Sequence, residues 1–239
     1  MPIQKVKFED LGKMDYQTAW DYQEELLAKN VEIKSSKWRN EPEENVATIS
    51  DTTHHLLFVE HPPVYTLGKS GKIEHVLISE EERKKNDLGF YKINRGGDIT
   101  FHGPGQIVAY PILDLEKFYT DIGRYMRSLE EVIIKTLAEY GLHGDRSPGE
   151  TGVWLDPGIK GRERKICAIG IRCSRWITMH GLAFNVNTNL DYFNNIIPCG
   201  IVNKQVTSLE RELKRSMDMH EVKETVKRNF QSVFDIDLY

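Results

Sequence analysis

The chain has 239 residues, 39% hydrophobic and 28% charged, with a net charge of −4, the profile of a globular protein able to bury a large core. No apolar run approaches the ~18 residues of a membrane span, and the acidic balance argues against a general nucleic-acid surface. Three cysteines, an odd number with no CxxC spacing, argue against a disulfide framework and a structural zinc site.

The opening residues, Met1 to Lys7, lack the apolar core of a signal peptide, which predicts a cytoplasmic protein. Asp15 is placed to cap a helix that turns Ala19, Trp20, Gln23, Leu26 and Leu27 to the core. Residues 34–45 are polar and charged, and are expected to form a surface loop or insertion. His55–Glu60 has the look of a buried strand stopped by Pro62-Pro63. Val64–Gly71 follows as a short extended piece and a glycine turn, and Glu80–Asn86 as a charged helix or turn. Gly89–Asn94 and Ile107–Leu113 are strands on either side of a glycine-rich segment.

Phe118–Leu142 gives the clearest helical period, through Ile122, Met126, Leu129, Val132, Ile133 and Leu137, with Gly141 placed to end it. Thr151–Leu155, Lys165–Ile171 and Thr178–Val186 are further strands. Thr207–Glu210 matches a capping box, and a second C-terminal helix is expected from about His220 to Phe234. There is no repeat. Strands and helices interleave irregularly, which predicts one α/β (α+β) domain over 1–239 around a mixed sheet, with 207–239 as a helical C-terminal part.

Four segments carry potential chemistry. Arg95-Gly96-Gly97-Asp98-Ile99-Thr100-Phe101-His102-Gly103-Pro104-Gly105-Gln106 holds more glycines and polar groups than a plain hairpin needs, so it is expected to cradle a ligand. Cys199 sits in a rigid Pro-Cys-Gly turn outside any periodic run, a setting that can present a thiol to a cleft. A thiol with an ordinary pKa near 8.5 needs a cation or base beside it, and Lys165, His102, His180 and Arg95 are the available ones. Strand alternation places Lys165 on the same face as Cys167, so spacing alone leaves Cys167 and Cys199 as rival nucleophiles. Lys160, Arg162, Arg164 and Lys165 are either a solvated loop or a docking patch for an acidic partner.

Taken together, the blocks resemble the lipoyl(octanoyl) transferases of the biotin/lipoate protein ligase superfamily. The glycine-rich segment followed by Tyr110-Pro111 is similar to that family's signature loop. Pro63–Gly68, Thr151–Trp154, Lys165–Gly170, His180–Asn185 and Pro198-Cys199-Gly200 resemble its other blocks, in the same order. The resemblance covers about His55 to Glu210. It implies a mixed-sheet core of the ligase type. It also implies octanoyl transfer from octanoyl-acyl carrier protein to lipoyl domains of 2-oxoacid dehydrogenase E2 subunits and glycine cleavage H protein. By the same resemblance Cys199 is the acyl-thioester nucleophile, and Lys165 lowers its pKa. Arg95, Gly96, Gly97, Asp98, Ile99, Thr100, Phe101 and His102, with Ala168, Ile169, Gly170, Gly181, Leu182 and Ala183, line the acyl pocket. No metal or other cofactor is implied, since a thioester is already activated without ATP. The family commonly has a small residue where Cys167 stands, which disfavours that rival. The runner-up is an ATP-dependent lipoate or biotin ligase, which needs no cysteine nucleophile; a second alternative, a non-catalytic lipoyl-domain binder of the same fold, is opposed by the presence of both Lys165 and Cys199.

Overall fold

The computed structural model describes residues 3–38, 51–197 and 205–239. The strands are β1 (Gln4–Lys13), β2 (His54–Glu60), β3 (Val64–Leu67), β4 (Gly89–Lys92), β5 (Ile99–His102), β6 (Gln106–Ile112), β7 (Gly144–Asp145), β8 (Val153–Leu155), β9 (Arg164–Ser174), β10 (Ile177–Asn185), β11 (Gln205–Val206) and β12 (Ile236–Leu238). Helices are α1 (Tyr16–Trp38), α2 (Glu80–Lys85), α3 (Ile122–Glu139), α4 (Leu209–Leu213) and α5 (Met219–Phe234).

Among the described residues, nine strands form a mixed sheet in the order β12-β1-β2-β6-β10-β9-β8-β7, with β11 added to β9. β12, β1 and β2 run parallel, and the central pairs from β2 to β8 are antiparallel. A second sheet of three strands, β4-β3-β5, stands apart. Strands β2, β6 and β10 are buried along nearly their whole length, which explains their unbroken apolar runs. One face of the large sheet packs α3 and α5 through Leu129, Val132, Ile133, Val222, Val226 and Phe230. The other packs α1 through Ala19, Leu26 and Leu27 against Leu57, Val59, Val108 and Ile112.

Asp15 does cap α1, its Oδ1 accepting from the N–H groups of Gln17 (2.8 Å) and Thr18 (3.3 Å). That helix overruns its expected end. Residues 34–38, expected to begin a loop, continue it, because Lys34 is drawn inward to Asp114 (2.9 Å), Glu116 (2.9 Å) and the carbonyl of Arg175 (2.8 Å). Residues 39–45 of that loop lie outside the described residues. The expected capping box does not form: Ser208, not Thr207, caps α4 by accepting from the Arg211 N–H (3.3 Å), and the Thr207 hydroxyl donates to Glu212 instead. The C-terminal part is not wholly helical, for after Asp235 (φ 52°) the chain turns back as β12 and pairs with β1. No described helix is long and apolar enough to cross a membrane.

Candidate functional site

A cavity of about 500 Å³ lies over β6, β10 and β9, beneath the loop that leads from β4 into β5. Its wall begins with the glycine-rich segment, which is laced to its neighbours by backbone hydrogen bonds. Gly68, Lys69 and Ser70 donate to the carbonyls of Asp98, Arg95 and Gly97, and Gly96 donates to Ile171 of β9 (2.8 Å). The approach of loop to strand is possible because residue 170 has no side chain: a Cβ there would stand 2.8 Å from the Gly96 carbonyl oxygen. Gly181 meets the same restriction on β10, where a Cβ would come 2.2 Å from the Ala109 carbonyl.

A continuous hydrogen-bond chain stiffens this wall. Arg95, 8% exposed, donates to the Thr66 carbonyl (2.7 Å) and hydroxyl (3.1 Å). The Thr66 hydroxyl donates to His102 Nε2 (3.3 Å), and His102 Nδ1 donates to Gln106 Oε1 (2.8 Å). The Gln106 amide donates to Asn185 Oδ1 (2.9 Å), whose own amide donates to the Thr207 carbonyl (3.0 Å). Thr207 in turn donates its N–H to the Lys165 carbonyl (2.9 Å). With both nitrogens engaged and burial pushing its pKa far down, His102 stays neutral and does not act as a base. His180 is likewise held neutral, pushed down to about 3 by burial and by the nearby cations Arg95 and Arg172.

Lys165 borders the cavity, its ammonium 4.6 Å from the centre of the Trp154 ring. It does not share a face with Cys167. The β8–β9 register runs Val153↔Cys167 and then Trp154↔Lys165, so one extra residue is inserted in β9. Ile166 and Cys167 therefore both enter the core, fully buried, while Lys165 goes to the cavity. Burial drives the Cys167 thiol pKa far up, so Cys167 is a packing residue. Cys173, half-buried, also has its pKa raised by burial. Cys199 lies outside the described residues. The residues on either side of that segment are placed: Ile197 donates to the His75 carbonyl (2.9 Å), and β11 pairs Val206 with Lys165.

Of the residues expected to line a pocket, Arg95, Gly96, Gly97, Asp98, Ile99, Thr100, His102, Ala168, Ile169, Gly170, Gly181, Leu182 and Ala183 border the cavity, together with Lys165. Phe101 does not. It points to the opposite side, stacked on Tyr192 (4.5 Å between ring centres) and edge-on to Phe193, and anchors the small sheet. Alternation along β5 turns Phe101 away from Thr100 and His102, to the face where Ile99 also packs in the small-sheet cluster. Sequence reasoning missed Tyr16, Val108, Tyr110, Met126 and Glu150 as wall residues. Met126 was assigned to the core face of its helix, and helical period cannot separate a core from a cavity rim. Within the basic patch, Lys160 and Arg162 are exposed, while Arg164 and Lys165 are turned to other partners. Arg164 forms a bidentate pair with Glu212 (2.6 and 2.7 Å) and a second with Asp156 (2.6 Å), Arg162 pairs with Asp156 (3.2 Å), and Lys165 faces the cavity.

The chain matches the family model for the lipoyl protein ligase A/B catalytic domain over residues 15–231. It is 55% identical to an octanoyltransferase from Christiangramia forsetii, over 98% of this chain and 97% of that one. It is 54% identical to an octanoyltransferase from Flavobacterium johnsoniae, over 98% of each. Among solved structures, it resembles a bipartite lipoate protein ligase from Thermoplasma acidophilum (TM-score 0.67, 17% identity, 99% of this chain and 86% of that one). It also resembles a lipoate-protein ligase A bound with ATP (TM-score 0.66, 16% identity, 100% of this chain and 88% of that one). Those two likenesses concern the fold, a mixed sheet with flanking helices. With the family model spanning most of the chain and relatives of this identity covering nearly all of it, the protein belongs to the lipoyl protein ligase A/B catalytic-domain family.

Proposed function

We propose that this protein is an acyltransferase that moves an octanoyl group from octanoyl-acyl carrier protein to a lysine of lipoyl domains, in the cytoplasm, with no cofactor. The observation that carries the reading is the cavity with Lys165 at its border, in a chain about half identical to octanoyltransferases over nearly its whole length. The solved ligase structures are alike in fold at 16–17% identity, whereas the relatives at 54–55% identity are octanoyltransferases.

In the proposed mechanism, the Cys199 thiolate attacks the carrier thioester. The carrier leaves as its thiol, and octanoyl-Cys199 forms in a near-isoenergetic exchange. The acceptor lysine then attacks that thioester and gives an amide, which is downhill. Covalent catalysis divides one hard transfer into two easier ones. Lys165 holds the thiolate as a cation, passes its proton to the departing carrier sulfur, and, now neutral, takes a proton from the attacking amine. The walls suit an eight-carbon tail: Val108, Ile169, Leu182 and Ala183 supply apolar surface, and the glycine-lined stretch at 96, 97 and 170 lets backbone close on it. Acceptors in this proposal include lipoyl domains of 2-oxoacid dehydrogenase E2 subunits and the glycine cleavage H protein.

Transfer is tested by mixing protein, octanoyl-carrier protein and a lipoyl domain without ATP. Octanoylated domain is the expected product. Product that appears only with free octanoate and ATP would replace the reading with a ligase.

A further inference from the structure

His180 sits where β10, still paired with β9, loses its β6 partner. The β6 ladder runs from Asn185↔Gln106 to Leu182↔Ala109 and then lapses beside Pro111, which has no N–H to give. His180 adopts φ +57°, and its N–H donates to Gln23 Oε1 (2.9 Å). A left-handed residue within a strand is costly for most side chains, with His and Asn among the more tolerant.

The tautomer of the ring follows from its neighbours. Glu24 Oε1 receives the Arg172 guanidinium (2.6 Å) and the Trp20 indole N–H (3.2 Å), and its lone pairs can only accept. Asn94 therefore turns its amide nitrogen to Glu24 (3.1 Å), leaving Asn94 Oδ1 beside His180 Nε2 (3.0 Å). Since that oxygen only accepts, Nε2 carries the proton and Nδ1 is a bare acceptor. His180 is 2% exposed and borders the cavity, and Nδ1 has no protein donor among the described residues. A second residue on the same cavity repeats the pattern. Asp98 accepts from His75 at Oδ2 (2.5 Å), while its buried Oδ1 has no donor. A buried acceptor left without a donor forfeits the hydrogen bonds it had with water. An acyl tail has neither N–H nor O–H to offer, so these acceptors do not serve the tail.

We propose that His180 Nδ1 is a substrate-binding acceptor that takes a hydrogen bond from an N–H group of a reacting partner, either an amide of the carrier's pantetheine arm or the amine of the acceptor lysine. The proposal rests on the octanoyl-transfer reading above.

Two half-reactions test it and separate the sources: acylation of the protein by octanoyl-carrier protein, and discharge of pre-acylated protein to a lipoyl domain. His180→Phe keeps a ring and removes both nitrogens, and is expected to slow one half-reaction about tenfold, the size of one lost hydrogen bond. His180→Asn tolerates the left-handed backbone and restores an acceptor near Nδ1, so it should recover most of that loss. A slowed acylation assigns the bond to the carrier arm; a slowed discharge assigns it to the lysine amine. Unchanged rates in both halves for His180→Phe would overturn the proposal. So would an equal loss in both halves for both variants, accompanied by a lowered melting temperature, because that pattern marks a structural residue. A wild-type protein inactive in both halves would instead refute the octanoyl-transfer reading itself.

Discussion

Lys165 and Cys167 are two residues apart and physically unlike. The inserted residue in β9 sends one to the cavity and the other into the core, where burial keeps the thiol protonated. Cys167→Ala should therefore leave transfer within about twofold of wild type while lowering stability by about 1 kcal/mol. A steady-state assay beside a urea melt checks both. Lys165→Ala should slow single-turnover transfer by about 10²–10⁴-fold, the usual worth of a positioned proton-transfer group, with carrier binding little changed. Equal rates would remove Lys165 from the mechanism. The loop side of the wall, Arg95 to His102, was legible from residue types, since so many glycines beside polar groups exceed what a turn needs, whereas the residues of β9 and β10 rested on the family resemblance. The separation of Lys165 from Cys167 was not legible, because period-two reasoning assumes an unbroken ladder and nothing local in Lys165-Ile166-Cys167 announces the extra residue.

At the scale of elements, the cavity depends on close backbone approaches and on one clamp. Gly181→Ala would drive a methyl group into the Ala109 carbonyl and the Pro111 ring, at a cost of about 1–3 kcal/mol or more. The same substitution at Gly149, where nothing lies within 4 Å of a Cβ, meets no such contact. Arg164 ties the start of β9 to α4 through Glu212 and to Asp156. Arg164→Ala should lower stability by about 1–3 kcal/mol through the loss of charge-assisted hydrogen bonds, read as a drop in urea midpoint without a change in slope. The exposed Arg162–Asp156 pair should contribute much less. Strongly patterned elements such as α3, α5, β2 and β10 were legible. β1 and β12 were not: β1 buries only Val6 completely, and β12 is three residues long, so pairing across the chain defines them. The tail of α1 was misjudged for a related reason, since the contacts that hold Lys34 come from residues 80 and more positions away.

The whole molecule carries an acid sensitivity that the buried histidines predict. Burial pushes His54 and His61 down to about 4 and His180 to about 3, against about 6.5 in the unfolded chain. Between pH 6.5 and about 4 the unfolded chain binds protons that the native state refuses, so stability falls as pH drops. At pH 5 each such group removes up to about 2 kcal/mol. Urea melts at pH 7 and pH 5 should show the midpoint falling. His61 donates to the Met14 carbonyl and accepts from Tyr110 (both 2.8 Å), and His61→Gln should flatten the pH dependence even while it lowers the midpoint at pH 7. An unchanged slope would mean that His61 is not kept neutral by the fold. In the proposed mechanism the octanoyl group is carried as a thioester on Cys199. Intact-mass analysis and peptide mapping after mixing the protein with octanoyl-carrier protein, without ATP, test it most directly. One octanoyl group on Cys199, released by hydroxylamine and absent from Cys199→Ser, is the predicted result; an adduct on Cys167, or none at all until ATP is added, would contradict it.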